Sequence, residues 1–304
     1  MNIDEILIRA SATGDIMTSS RDGEITETQL KTVAELLEKR KTKPLTDNQE
    51  KELARLIDKR DNPELSETCK KRLIKVYAQE MFGRTEEIGS KYLEKGTTVE
   101  ENSITLFSRV NKKSFKKNEK RLFNRFLTGL PDLYDGADAI EDAEEVIDVK
   151  SSWSLITYLN ATVDKKMNHD YKWQGNSYLG LLVKAKRFRL AYCLVNTPAK
   201  LITDEKFKIA RQMDLIDPSI SPDYIEKCKQ IERNHIFDLA QFNTDYPGFD
   251  FQSDLNEWKF DISKEKRVHQ LVFDRNEAEI GQLYKRVPEC RNWIRDTFLK
   301  DSPQ

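Results

Sequence analysis

"GLPDLYDGADAIEDAEEVIDVKSS", residues 129–152, decides how the rest of the chain is read. It sets an aspartate directly after Pro131, runs through an acidic loop, and ends in an apolar stretch interrupted by Asp148 and Lys150. Glycine and proline punctuate its start, so it reads as a strand entered from a turn. Side chains alternate along a strand, which sends Val146, Asp148 and Lys150 to one face and Ile147 and Val149 into the core. Asp148 and Lys150 then stand about 6.6 Å apart along one face, near enough to converge on one small ligand. Unpaired charge is expensive to desolvate, so a half-buried carboxylate and ammonium need a partner. A divalent cation beside a phosphate suits both, with Asp132 as a second carboxylate. Hard oxygen ligands of this kind favour Mg²⁺ or Mn²⁺, and the lysine would stabilise developing negative charge. The plain alternative is a sheet-surface ion pair with Asp132 an ordinary turn residue. In a chain that is 34% charged, a D-x-K match alone decides little.

The bulk properties narrow the field. With 304 residues, 38% of them hydrophobic, the chain can bury a real core as one large domain or two small ones. Its 51 basic and 52 acidic residues create no global field for a polyanion, so nucleic acid would have to meet a local basic patch. Cys69, Cys193, Cys228 and Cys290 lie far apart without a C-x-x-C pair, which fits reduced thiols in a cytoplasmic protein and offers no metal-cluster spacing. His169, His235 and His269 show no ligand spacing either. No uncharged run reaches the roughly 18 residues of a membrane span, and the start of the chain does not resemble a signal peptide, so no membrane association is expected.

Around the opening stretch the chain reads as a mixed α/β core. Residues 24–82 read as helices: Thr26 with Gln29, and Thr46 with Gln49, form capping boxes, and Ile25 and Leu30 suit a hydrophobic staple. After Pro63, Ser66 reads as an N-cap, with Cys69, Leu73, Val76 and Tyr77 on one helical face. Another helix suits 97–109. Strands are expected before Gly129, at "EVIDVKSS" and at "RFRLAYCLVNT", the last two separated by a helix over about 170–183. Ser221 and Pro222 begin a later helix, "KRVHQLVF" adds a strand, and a helix over about 276–298 closes the chain. The expected organisation is a single domain over 1–304. Within it lie a helical subdomain at 20–85, a catalytic core at 86–200 and a mainly helical extension at 201–304.

Two more elements join the aspartates and the lysine. In "YLEKGTTVEENSI", Glu100 follows Gly96 by one helical turn, where the glycine would let another backbone approach closely. In "YKWQGNSYLG", Gln174 and Tyr178 share a helix face as a neutral donor and acceptor pair. Taken in order, Gly96-x-x-x-Glu100, Pro131-Asp132, Asp148-Val149-Lys150 and Gln174-x-x-x-Tyr178 resemble the PD-(D/E)XK nuclease superfamily. They are most similar to the branch that holds the RecB nuclease domain, the CRISPR-associated Cas nucleases with four cysteines, and the phage exonucleases of the lambda and YqaJ kind. The resemblance covers about residues 90–197. It implies a restriction-endonuclease-like αβββαβ core and a metal-dependent deoxyribonuclease, most nearly a phage-type double-strand exonuclease of recombination or repair. Structure-selective endonucleases and non-catalytic DNA-binding recombination modules are the alternatives. It further implies that Asp132, Asp148 and the Val149 carbonyl hold one or two Mg²⁺ or Mn²⁺ ions. Glu100 would be a ligand or water-orienting acid, Lys150 the catalytic lysine, and Gln174 and Tyr178 supports that contact DNA. The partners implied are double-stranded DNA ends, a single-strand annealing protein and further copies in a homo-oligomeric ring. The scattered cysteines depart from the iron–sulfur members, and no G-x-x-x-x-G-K-[S/T] loop supplies an ATP-driven motor.

DNA contacts are expected from three places. In "LIRASATGDIM", Arg9 and Ser11 resemble the phosphate-holding segment of the phage exonucleases, with Ser11 capping a short helix. Lys112, Lys113, Lys116 and Lys117 open a basic run, continued by Lys120 and Arg121, that would neutralise backbone phosphates unless it is simply a solvated loop. Ser151 and Trp153 follow the catalytic lysine, and Trp153 would stack on a base or pack inside.

Overall fold

A computed structural model describes residues 2–19, 25–61, 64–86, 89–163, 166–215 and 221–299. Pro63 and residues 20–24, expected at the edges of helices, lie outside the described residues. The chain is a mixed α/β protein built on two sheets. A short strand β1 (Ile8–Arg9) and a one-turn helix α1 (Thr13–Ile16) open it, followed by α2 (Glu27–Thr42), α3 (Asp47–Asp61) and α4 (Glu67–Phe82). The cap signals are local, and they hold. Thr26 and Gln29 make both bonds of a capping box, Thr46 and Gln49 exchange bonds of 3.3 and 3.4 Å, and the Ser66 hydroxyl accepts from the Cys69 N–H. The staple is different: Leu30 stays 42% exposed, while Ile25 packs on Val33, Leu53 and Leu56 between α2 and α3. Cys69 and Leu73 of α4 instead join Ile6, Ile8 and Ile16 in another core.

The expected helix over 97–109 is two helices, α5 (Lys91–Thr98) and α6 (Glu100–Asn111), broken at Val99, whose ψ of 15° leaves the α-helical region. Three short strands follow, β2 (Lys116–Lys117), β3 (Leu122–Phe123) and β4 (Leu127–Gly129), then β5 (Leu133–Asp135) and β6 (Glu145–Ser151). Between β6 and β7 (Arg187–Cys193) run α7 (Leu155–Val163) and α8 (His169–Leu181). The chain ends with α9 (Ala199–Gln212), α10 (Pro222–His235), α11 (Leu239–Asp245), β8 (Val268–Asp274) and α12 (Glu277–Phe298). Ser221 caps α10 through the Tyr224 N–H, with Pro222 in the first turn, where its missing donor is harmless.

The large sheet has the order β2-β5-β6-β7-β8, with β6 and β7 parallel and its other pairs antiparallel. Strand β8 therefore completes this sheet from beyond residue 200, outside the span expected for the core. The small sheet, β1-β4-β3, sets Arg9 beside Thr128. Helices cover the large sheet on both faces. On one, Val146, Phe188 and Leu190 meet Tyr178, Leu179 and Leu182 in and just after α8. On the other, Ile147, Val149, Ala191 and Cys193 meet Leu106 and Phe107 of α6. The alternation expected of β6 is thus observed.

Helix α8 sits on the sheet through Gly175. A Cβ there would stand 2.4 Å from the fully buried Phe188 ring. Gly175→Ala is expected to lower stability by about 1–3 kcal/mol, because overpacking outweighs the gain in helix propensity. Urea unfolding measures this, and an alanine variant as stable as the native chain would contradict the packing account.

Candidate active site

Residues 131–150 build the centre of the site. Asp132 follows Pro131 into β5, and its Oδ2 accepts from the Val149 N–H at 2.7 Å, which pins the carboxylate against β6 beside Asp148. Asp148 is only 1% exposed. Its Oδ1 has long contacts with Gln174 Nε2 (3.4 Å) and the Tyr178 hydroxyl (3.5 Å), and Gln174 Nε2 donates to Tyr178 at 2.9 Å. Its Oδ2 is buried, and the Lys150 ammonium is its one side-chain partner among the described residues. Lys150 Nζ reaches it to 2.6 Å as an ion pair, while 30% of the lysine side chain remains exposed. Tyr178 also donates to the Leu130 carbonyl at 3.3 Å. It lies close against Gly129, where a Cβ would come within 2.8 Å of its ring.

These side chains share one cavity of about 250 Å³. Asp132, Asp148, Lys150, Gln174 and Tyr178 line it from the sheet and α8, and Arg9, Ser11 and Arg121 line it from the small-sheet side. Arg9 and Arg121 form no ion pair or side-chain hydrogen bond among the described residues, so two guanidiniums border a pair of carboxylates. Tyr171, one turn before Gln174, lies under the Lys150 ammonium at 5.4 Å. Sequence reading passed it over, although positions 171, 174 and 178 share one helical face.

Crowded charge dominates the electrostatics. Burial pushes the Asp132 carboxyl up to about 7, the negative charge of Asp148 adds to this, and Lys150 and the Val149 N–H oppose it. For Lys150, burial works against the charged form, but the attraction of Asp148 and then Asp132 outweighs it and raises its pKa. Burial, reinforced by Asp148, raises the Tyr178 phenol well above its ordinary range. Two carboxylates held side by side, with a single ammonium on the Asp148 Oδ2, form a donor set that fits a hard divalent cation.

Other expected positions fall differently. Glu100 opens α6, its carboxylate 3.4 Å from Lys117, and its charge acts on Asp132. Among the described residues, no three His, Cys, Asp or Glu side chains form a metal-holding group by themselves. Nothing approaches Gly96 closely: a Cβ there would meet nothing within 4 Å. Ser11 caps no helix; it sits inside a 3-10 turn that Arg9 precedes without a side-chain cap. Lys113 pairs with Asp135, Lys116 with Asp138, Lys117 with Glu101 and Lys120 with Glu141, so the basic run is largely neutralised in place. Lys112 is a left-handed residue ending α6. Ser151 points to the α6 face, its Oγ 2.7 Å from Ser103 Oγ. The Trp153 ring is packed by Tyr92 at 5.3 Å and His235 at 4.9 Å, with Lys91 Nζ 4.6 Å away. Trp153 is thus half-buried against two rings and an ammonium.

All four cysteines are buried thiols, none in a disulfide. No helix among the described residues is long and apolar enough to cross a membrane.

No protein-family profile matches the chain, and no curated protein matches it in sequence. Among solved structures it is similar to an alkaline exonuclease from Laribacter hongkongensis, at 9% identity and a TM-score of 0.48, over 96% of this chain and 90% of that one. It is also similar to a phage-related exonuclease from Haemophilus somnus 129PT, at 17% identity and a TM-score of 0.56, over 98% of this chain and 97% of that one. That second likeness spans nearly the whole of both chains, and it shows that this chain has the α/β fold of that phage-related exonuclease.

Proposed function

We propose that the chain is a metal-dependent deoxyribonuclease that hydrolyses phosphodiester bonds at the ends of double-stranded DNA, as an exonuclease of phage recombination type. The observation that carries this reading is the meeting of Asp132, Asp148 and Lys150 in one cavity, with Asp148 buried and its Oδ2 paired only with the Lys150 ammonium. Asp132, Asp148 and the Val149 carbonyl would hold Mg²⁺ or Mn²⁺. The bound ion would supply Lewis acidity toward a phosphate oxygen and toward the attacking water. Lys150 places a cation where negative charge grows on the phosphoryl group. Gln174 and Tyr178 keep the Asp148 carboxylate oriented, and Glu100, whose charge reaches Asp132, would orient water. Arg9 and Arg121, two unpaired cations on the far side of the cavity, seat the DNA phosphate, and Ser11 offers a hydroxyl beside them. The fold shared with a phage-related exonuclease supports the same reading, and neutralisation of the lysine run shifts the expected DNA contact from that run to these two arginines.

One gel tests it. Linear duplex with 5′-phosphate, linear duplex with 5′-hydroxyl and covalently closed circular duplex are incubated with and without Mg²⁺. Both linear forms are expected to be degraded only with metal, EDTA stops the reaction, and the closed circle survives. Cleavage of the circle would replace the exonuclease with an endonuclease. Binding of DNA without metal-dependent cleavage of any form would leave a non-catalytic module.

A further inference from the structure

A second cavity, of about 420 Å³, lies on the α6 face of the large sheet, away from the carboxylate pair. Its size falls within the roughly 300–1,000 Å³ of small-molecule sites. Leu106, Phe237 and Ile262 give it apolar walls, and Arg109, Lys264 and Arg267 bring three cations to its lining. Two carboxylates, Asp238 and Asp261, stand against these three cations, which leaves the lining one positive charge in excess. Asp238 is engaged by the Gln241 N–H at 3.1 Å and by Arg267 Nη2 at 2.9 Å. Asp261 is engaged by the Leu239 N–H at 3.0 Å and by Trp258 Nε1 at 2.9 Å. Arg109 and Lys264 form no ion pair among the described residues. Arg267 is only 7% exposed, and its Nε is buried without a partner. A buried guanidinium donor left unpaired costs free energy that an incoming anion would recover.

We infer that this cavity binds a nucleotide phosphate, with Arg109, Lys264 and Arg267 Nε on the anion and the apolar walls against the base or sugar. The choice of a nucleotide among phosphate-bearing ligands rests on the nuclease reading, since hydrolysis of DNA places both strand phosphates and released mononucleotides at the protein. The site itself rests on the cavity and its free cations. A strand and a released product present the same chemistry, and a diester probe and a monoester probe separate them.

The test is calorimetric titration in EDTA, so that turnover plays no part and a failure of the nuclease reading leaves the measurement intact. The probes are thymidine 5′-monophosphate, the dinucleotide TpT, thymidine and inorganic phosphate. The chains are the native protein, Arg109→Gln/Lys264→Gln, Thr105→Trp and Lys150→Met. Thr105 is an exposed residue that lines the cavity, so tryptophan there blocks it without removing charge. Nucleotide binding is expected to weaken at least tenfold in Arg109→Gln/Lys264→Gln and in Thr105→Trp, and to persist in Lys150→Met. Tighter binding of TpT assigns the site to a strand, and tighter binding of the monophosphate assigns it to released product. Loss confined to Lys150→Met would put the ligand in the carboxylate cavity and overturn the inference. Inorganic phosphate binding as tightly as the nucleotides, or no binding of any probe, would overturn it as well.

Discussion

Lys150→Met is expected to lower metal-dependent cleavage of linear duplex at least 10³-fold, and Asp148→Asn to do the same. Removing a single well-placed donor from a developing anion costs about 10²–10³ in rate, and Lys150 carries a full charge in a secluded cavity. Stability should change by a different rule. Without the ammonium, the Asp148 carboxylate keeps only long contacts with Gln174 and Tyr178, at 3.4 and 3.5 Å. Breaking a fully buried pair costs about 3–5 kcal/mol, and the 30% exposure of Lys150 reduces this to about 1–3 kcal/mol. The double variant Lys150→Met/Asp148→Asn removes the stranded charge. It should regain much of that stability while cleavage stays lost. Initial rates and urea unfolding on the three variants separate the two effects, with Lys70→Gln, an exposed pair with Glu67 on α4, as a control. Activity in the double variant would remove both residues from the chemistry.

The parts of this fold that were legible in the sequence are those fixed by local rules. Capping boxes act across three residues, and strand alternation has a period of two, so Thr26, Ser66 and the faces of β6 could be read directly. Helix α7 was missed because "LITYLNATV" is uncharged and rich in β-branched residues. It also leaves Ile156 65% and Val163 75% exposed, so its apolar pattern does not mark burial. The candidate site was legible where a motif kept its parts within a few residues. It was not legible where the neighbours come from elsewhere in the chain. Trp153 looked free to stack because Tyr92 on α5 and His235 on α10 are 61 and 82 residues away in sequence. Likewise Lys113 and Lys116 looked like a DNA surface because Asp135 and Asp138, which neutralise them, each lie 22 residues further on.

Lys95 is another case of this kind, and it shapes the pH dependence of stability above about pH 7. It is completely buried. Its ammonium donates to the Trp153 carbonyl at 3.0 Å and lies 5.9 and 5.7 Å from the Trp153 and Phe237 rings. No carboxylate forms an ion pair with it among the described residues; nearby Glu205 is taken by Lys91 at 2.9 Å. Burial lowers its pKa from 10.5 to about 7. His235, on the same wall, is lowered to about 4 by burial and then by the charge of Lys95. Both are bases whose folded pKa lies below the unfolded one, so the unfolded chain binds more protons and stability rises with pH across each gap. For His235 the rise spans about pH 4 to 6.5. For Lys95 it begins near pH 7 and continues toward 10.5. A tenfold difference in proton affinity between the folded and unfolded chain is worth about 1.4 kcal/mol, so the Lys95 contribution between pH 7 and 9 is about 2–3 kcal/mol. Above pH 9, Cys193, raised to about 12 by burial, pulls the other way, because a buried thiol resists the ionisation available to it when unfolded. Lys95→Met should therefore raise stability at pH 6 by about 1–3 kcal/mol, after allowing about 1 kcal/mol for the hydrogen bond lost at Trp153. It should also flatten the rise between pH 7 and 9. Urea unfolding of both chains at pH 6, 7, 8 and 9 gives the comparison; Cys193 cancels in the difference, and His235, whose shift comes partly from Lys95, enters only below about pH 7. Parallel curves for the two chains would mean that the Lys95 amine is not desolvated in the folded protein.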